Sequence, residues 1–288
     1  MKVVVFTGGE CFLLGEQLND LISHATRNRF LTRCVTNGYW ASSMEAARRR
    51  VSELKRSGLN EINFSTGDMH AAYVHPLSIV NGALACVEQG IYTVINIENF
   101  GGSSLARDYF TENELLKEHI SSLRIKVQSS SWIKSDGHAS LHHSSKLSRF
   151  NPANKTSCST VLNVLAVTPS QELVACCGLH LERISELHMG SIETVSLMDV
   201  IRSFKPDLLK IWLHLEGPEA ILEWVKEKFP SFILPENPVH PCETCLYLYS
   251  SPDVKNAITS HIKEKEPELV NKYLASITAR LMSHAIHV

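Results

Sequence analysis

The sequence predicts an α/β protein in two parts: a first half of repeated βα units around a parallel sheet, and a smaller, cysteine-bearing α+β second half. Three observations predict this. Short β-branched runs begin at Val3, Leu31, Glu61, Tyr92 and Leu123, with starts 28, 30, 31 and 31 residues apart. Helical stretches fill the gaps, and strands alternating with helices at a steady period build parallel sheets. Five of the eight cysteines lie beyond residue 157, at Cys158, Cys176, Cys177, Cys242 and Cys245.

Taken in order, VVVFT runs into TGGE, LTRCVT into TNG, EINFS into TGD and YTVINIE into NFGG. Ser42 with Glu45 reads as a capping box, and Leu54 followed by Gly58 as a helix end. Pro76 opens the next helix, with Leu77, Val80, Leu84 and Val87 on one face and Gly90 beyond its end. Thr111 with Glu114 starts a fourth. An open sheet and a barrel both fit the period, and in either the chemistry collects at the carboxyl edge of the strands. That edge would gather Glu10, Asp68, His70 and Glu98.

Residues 131–156 are rich in Ser, His, Asn and Lys and read as a linking segment, which divides the chain into 1–130, 131–156 and 157–288. A hairpin is expected from TVLNVLAV and ELVACC. Helices are expected around 196–204, 206–215, 218–229 and 252–287, the last with Leu269, Tyr273, Ile277 and Leu281 at helical spacing.

The chain has 288 residues, 44% hydrophobic and 20% charged, with a formal charge of −2. It can bury a sizeable core, and it has no global pull toward nucleic acid or an anionic membrane. No apolar run approaches the roughly 20 residues that span a bilayer. The expectation is a cytoplasmic protein with no nucleic-acid or membrane partner. Cysteines in a reducing compartment are more often metal ligands or catalytic groups than disulfides. Cys11, Cys34 and Cys86, set among apolar neighbours, read as buried thiols.

Phe6-Thr7-Gly8-Gly9-Glu10-Cys11 resembles the second strand and TGGEP turn of radical S-adenosylmethionine (radical SAM) barrels, with Cys11 where proline is usual. Thr36-Asn37-Gly38-Tyr39-Trp40-Ala41 resembles the third strand end, Phe64 to His70 the fourth, and Ile95, Asn96 and Glu98 the fifth. The resemblance covers roughly residues 3–130. It implies a partial (β/α) barrel that lacks its first βα unit. It also implies S-adenosylmethionine as cofactor, with Gly8, Gly9 and Glu10 at its methionine end and Ser65 and Asn96 along its other side. Glycines permit close backbone approach, and a carboxylate suits an ammonium.

The family's cluster loop, C-x3-C-x2-C, occurs nowhere in the 288 residues. Without its three thiolates no cluster opens an iron to S-adenosylmethionine. The expectation is a truncated chain, inactive as given, from a family that uses radicals to modify peptide or small-molecule substrates and draws electrons from a reductant protein. Cys158, the hairpin closed by Cys176-Cys177-Gly178, His188 to Ile192, and the C-x2-C at Cys242 and Cys245 resemble a SPASM or twitch extension. That resemblance implies an auxiliary iron–sulfur cluster on Cys158, Cys176 or Cys177, Cys242 and Cys245. The two-residue spacing suits tetrahedral zinc equally well, and core thiols with no metal are a third reading.

His142 and His143 read as solvated, and His70 and His75 as rim residues, open either to a substrate or proton-transfer role or to plain surface hydrogen bonding. Arg48-Arg49-Arg50 reads as a charged helix face. Two other functions compete with the radical SAM reading. One is a non-catalytic partial-barrel binding protein with a structural zinc, and the other an unrelated βα enzyme using its rim carboxylates as acid and base.

Overall fold

The computed structural model describes residues 2–99, 104–105, 107–131, 156–194, 196–203, 205–234, 238 and 240–285. The chain divides into two units, Met1–Leu147 and Ser148–Val288. The divide falls within the expected linking segment, most of which lies outside the described residues together with His142 and His143.

In the first unit five strands, β1 (Val3–Phe6), β2 (Leu31–Thr36), β3 (Glu61–Thr66), β4 (Tyr92–Asn99) and β5 (Ile125–Ser131), form one parallel sheet in sequential order. The connections carry α1 (Glu16–Arg27), α2 (Met44–Ser57), the short α3 (Asp68–Ala71), α4 (Pro76–Glu88), the short α5 (Asp108–Thr111) and α6 (Glu114–Ser121). The strand order never reverses, so the sheet has no doubly wound switch point. A sequential order suits open and barrel-like sheets alike.

Strand alternation sorts the two faces of the sheet. Cys34, Ile62, Phe64, Ile95, Ile97, Ile125 and Val127 are buried with Leu18, Ile22, Val51, Leu54, Val80, Ala83 and Leu116 of the helices. The helices therefore cover one face. On the other, Arg33, Val35, Asn63, Ser65 and Asn96 stay partly exposed.

Each return from helix to strand uses the same backbone device. Arg29, Gly58, Gly90 and Leu123 have φ of 63°, 98°, 65° and 58°. The following amides, of Phe30, Leu59, Ile91 and Arg124, bond the carbonyls of Ala25, Leu54, Cys86 and His119 at 2.9–3.1 Å. This is the Schellman closure, repeated four times. The helix end expected at Gly58 is one of these.

Helix starts differ from expectation by a residue or two. The cap of α2 is Ser43, whose hydroxyl accepts from the Ala46 amide at 3.2 Å, and that of α6 is Asn113. Ser42 and Thr111 hold neither position. Pro76 does open α4, but Leu77 is exposed, and the buried face runs through Ile79, Val80, Ala83, Cys86 and Val87.

The second unit is α+β. A three-stranded antiparallel sheet, β6 (Ala166–Val167), β7 (Glu172–Val174) and β8 (His188–Ser191), precedes α7 (Leu197–Ser203), α8 (Leu208–Lys228), α9 (Pro241–Ser250) and α10 (Pro252–Ala285). The expected hairpin exists but is shorter, because Thr160–Asn163 turns back on itself and Leu162 takes φ 65°. β8 adds a third strand to it. α8 unites the two helices expected around 206–229 across a kink at Gly217 (φ 82°) and Pro218. Its Trp212 and Trp224 meet edge to face at 5.1 Å in the core, beside Leu248, Val254, Ile258 and Leu269. Leu269 is the buried member of the stripe read in α10; Ile277 is exposed, and the Leu281 side chain lies outside the described residues.

Candidate functional site

At the carboxyl edge of the parallel sheet, carboxylates tie neighbouring βα turns together. Glu10 follows β1 and reaches the turn after β2. One of its oxygens accepts from the Thr36 hydroxyl at 2.9 Å and the Phe12 amide at 3.0 Å, and the other from the Asn37 amide at 2.8 Å. Thr36, itself buried, accepts from the Gly38 amide and the Trp40 indole, each at 3.1 Å. A carboxylate offers about four acceptor positions, so three of Glu10's are committed within the fold. The ammonium role expected of this side chain finds it already engaged in clamping the turn.

Glu98, at the end of β4, repeats the device. One oxygen accepts from the Met69 and His70 amides at 3.0 and 3.2 Å, and the other lies 2.8 Å from His70 Nδ1. Gly67 has φ 138°, and a Cβ there would overlap the Glu98 carboxyl group, so this clamp requires glycine. Asp68 completes the set, accepting from the amides of Ser104 and Leu105 and the Ser104 hydroxyl. Partial burial works against its charge, but the amides and hydroxyl outweigh it and hold its carboxyl below the usual carboxylate range. Glu10, Asp68, His70 and Glu98 thus share one rim, and all three carboxylates are engaged in holding it. His75 caps α4, its Nδ1 accepting from the Leu77 amide at 3.1 Å.

Gly8 and Gly9 differ from these clamped residues. Gly8 takes φ 106°, and a Cβ on either glycine would meet nothing within 4 Å. Among the described residues no acceptor meets their amides. The turn presents bare backbone to open space. On the helix-free face of the sheet Ser65 pairs in register with Asn96, and Asn96 with Gln128, so three partly exposed polar side chains cross β3, β4 and β5. Gln128 was not singled out from the sequence; the alternation Lys126-Val127-Gln128 is the signal that places it there. Arg33, one layer toward the amino edge, is held by Glu61 at 2.8 Å. Cys11, Cys34 and Cys86 are buried as expected. Arg48 bonds Glu88, and Arg50 bonds Glu53 and Asn19, so these two arginines link helices and loops at the surface.

In the second unit the five cysteines come from three places: the segment before the hairpin, the end of β7, and the first turn of α9. Cys176 is buried and Cys177 exposed. The Cys176 and Cys242 sulfurs each lie 3.1 Å from where a Gly178 Cβ would stand, so Gly178 keeps open the space between them. The Gly178 amide donates to Cys176 Sγ at 3.0 Å, and Thr160 Oγ1 sits 3.4 Å from Cys158 Sγ and 3.7 Å from Cys176 Sγ. Cys242 and Cys245 are three apart on one helical face, with Pro241 at the first helical position and His240 as cap.

Burial, and then the neighbouring thiols, push Cys242 up to about 11 and raise Cys245 further; Cys177 is raised for the same two reasons. Mutual elevation is what gathered thiols without a cation show. Among the described residues no three His, Cys, Asp or Glu side chains stand close enough to share one metal ion. Beside Cys245, Glu219 is buried, and burial raises its pKa against the opposing hydrogen bond from Thr244. Nothing in the sequence pattern marked Glu219; it lies inside an apolar helix.

Models of known protein families and the curated proteins contain no match to this chain. None of the described helices is long and apolar enough to cross a membrane.

Proposed function

We propose that this chain is a radical SAM-type protein that binds S-adenosylmethionine at the carboxyl edge of its parallel sheet and an iron–sulfur cluster at its C-terminal cysteines. The observation that carries the reading is the Gly8-Gly9 turn. Among the described residues its backbone is bare and unbonded at the end of β1, on the edge where a singly wound sheet takes its ligands. Free amides and carbonyls there suit the carboxylate and ammonium of the methionine end. Ser65 and Asn96, side by side on the uncovered face, would line the remainder, with Gln128 next to them. Glu10 enters as the residue that positions the turn.

The second unit supports the other half of the reading. Thiols from three segments converge, with Gly178 preserving a gap between two of them, yet among the described residues no three reach one ion. A polynuclear cluster spreads its four thiolates further apart than a single zinc does. Cys158, Cys176, Cys242 and Cys245 would hold it, and Cys177, exposed, falls outside the set. When bound, such a cluster supplies electron transfer or substrate placement. The chain lacks C-x3-C-x2-C, so the proposal for these residues is cofactor binding; radical modification of a peptide or small molecule is the chemistry of the family as a whole.

Anaerobic reconstitution with iron and sulfide, read by Mössbauer spectroscopy and metal analysis, tests the second unit. One cluster per chain, lost in Cys176→Ser and Cys242→Ser but kept in Cys177→Ser, is expected. Zinc uptake with no cluster would favour the non-catalytic zinc reading. Calorimetric titration with S-adenosylmethionine tests the first unit, and no binding to the reconstituted chain would remove that half of the proposal.

A further inference from the structure

The C-terminal half of α8, the turn after it, α9 and the start of α10 line an open cavity of about 520 Å³ within the second unit. That volume is in the range of small-molecule sites. Its two walls differ in chemistry. One is apolar and aromatic, built on Phe229, Phe232 and Tyr247, with the Phe232 and Tyr247 rings 6.4 Å apart and tilted by 44°. The other is a polar stripe on α10, where Asp253, Asn256 and Ser260 fall at positions i, i+3 and i+7 of one helical face.

Among the described lining residues the charge has one sign. Asp253 is the only charged residue among the described lining residues, it is exposed, and no ion pair engages it among them. Two lysines of α8 are held in place by their own partners. Lys226 donates to the Pro230 and Phe232 carbonyls, which fixes the turn bearing the aromatic wall, and Lys228 pairs with Glu264. An aromatic wall and a carboxylate lining one cavity attract a cation twice, through ring faces and through charge.

We infer that this cavity binds a primary ammonium carried on an apolar stem, with the stem against Phe232 and Tyr247 and the ammonium at Asp253. A free arylalkylamine and the side chain of a peptide lysine both have this chemistry. The cavity lining contains no cysteine, and the inference does not depend on either cofactor being bound.

The full chain is titrated by NMR with phenethylamine, with N-acetyl-lysine amide, and with 3-phenylpropionate, which resembles the first in shape but has the opposite charge. Saturable binding of phenethylamine with a dissociation constant of about millimolar, with shifts at Tyr247 and Asn256, is expected. Asp253→Asn should weaken it about threefold to fivefold, the size of one exposed charge interaction, and added salt should do the same. Binding of the lysine amide as well would identify a peptide source; binding of phenethylamine alone, a free amine. Equal affinity for 3-phenylpropionate, indifference to Asp253→Asn, or no binding of either amine would overturn the inference. Asp253 is exposed, so its substitution leaves the fold intact and the result readable.

Discussion

Replacing Glu10 by alanine removes the acceptor of three donors at once: the Thr36 hydroxyl and the amides of Phe12 and Asn37. A hydrogen bond to a charged group contributes about 1.5–3 kcal/mol when buried. Glu10 is half-buried, so water takes up part of what is lost. The Phe12 amide bond lies within its own turn, while buried Thr36 joins a second turn and also serves Gly38 and Trp40. Counting the Thr36 and Asn37 bonds at the lower end gives a loss of about 2–3 kcal/mol. For a unit of this size that lowers Tm by about 4–12 °C. Glu10→Gln should recover little. Its amide carbonyl can keep Thr36 and Phe12, but its NH2 then faces the Asn37 N–H, donor against donor. Thermal melting followed by circular dichroism reads the global effect, and hydrogen exchange at the Asn37 amide reads the local one. A Tm within about one degree of the parent, with Asn37 exchange unchanged, would refute the clamp. The same experiment guards the functional test, since loss of S-adenosylmethionine binding in Glu10→Ala would follow from a displaced turn without any ligand contact.

Gly9→Ala is the cleaner probe of the ligand, because the added methyl meets nothing. Its stability should match the parent within about 0.5 kcal/mol in urea melts while calorimetry shows weakened S-adenosylmethionine binding. Gly67→Ala should be the opposite, losing more than about 3 kcal/mol and appearing as insoluble or proteolysed protein, because its Cβ overlaps Glu98 at φ 138°. Asp68 has a lowered carboxyl pKa in the folded chain. Its stabilisation is therefore complete above the ordinary carboxylate range near pH 4 and is lost as pH falls through the lowered folded value. Exchange at the Ser104 and Leu105 amides, corrected for intrinsic rate, should accelerate in that window and not above it. Cys242 holds its proton up to about 11 and Cys245 beyond that, so metal uptake at pH 8 should release protons, measurable with an indicator dye, and apparent affinity should rise with pH.

The parallel sheet was legible because strand periodicity and turn residues are local, and the order β1 to β5 follows once each strand is joined to the next by a helix. Helix starts were less so: Ser42 and Ser43 are equally good caps by type, and only tertiary placement of α2 chooses Ser43. The hairpin was overdrawn because the apolar run TVLNVLAV suits a strand anywhere, whereas Leu162 at φ 65° breaks it. At the rim, the gathering of Glu10, Asp68 and Glu98 could be read from their place after each strand. What each carboxylate holds could not, since its partners, Asn37, Ser104 and Met69, lie 27 to 36 residues away. Glu219 stayed hidden for a related reason. A charged residue in a helix is ordinarily solvated, and only the packed unit shows it buried beside Cys245.

The four Schellman closures carry a consequence for how this domain tolerates rearrangement. Their closing bonds use main-chain groups alone, at Arg29, Gly58, Gly90 and Leu123, although the Thr26, Thr32 and Lys55 side chains also reach the Gly58 and Gly90 carbonyls. Cutting the chain there and joining the old ends elsewhere leaves the main-chain closure of the neighbouring joints in place. The opposite edge is different in kind, because each of its turns borrows an acceptor from another. New termini, tags or inserted domains belong at the first edge. The amino end of the sheet serves as its assembly side, free to be re-cut, while the carboxyl end acts as a single part that is kept or lost together.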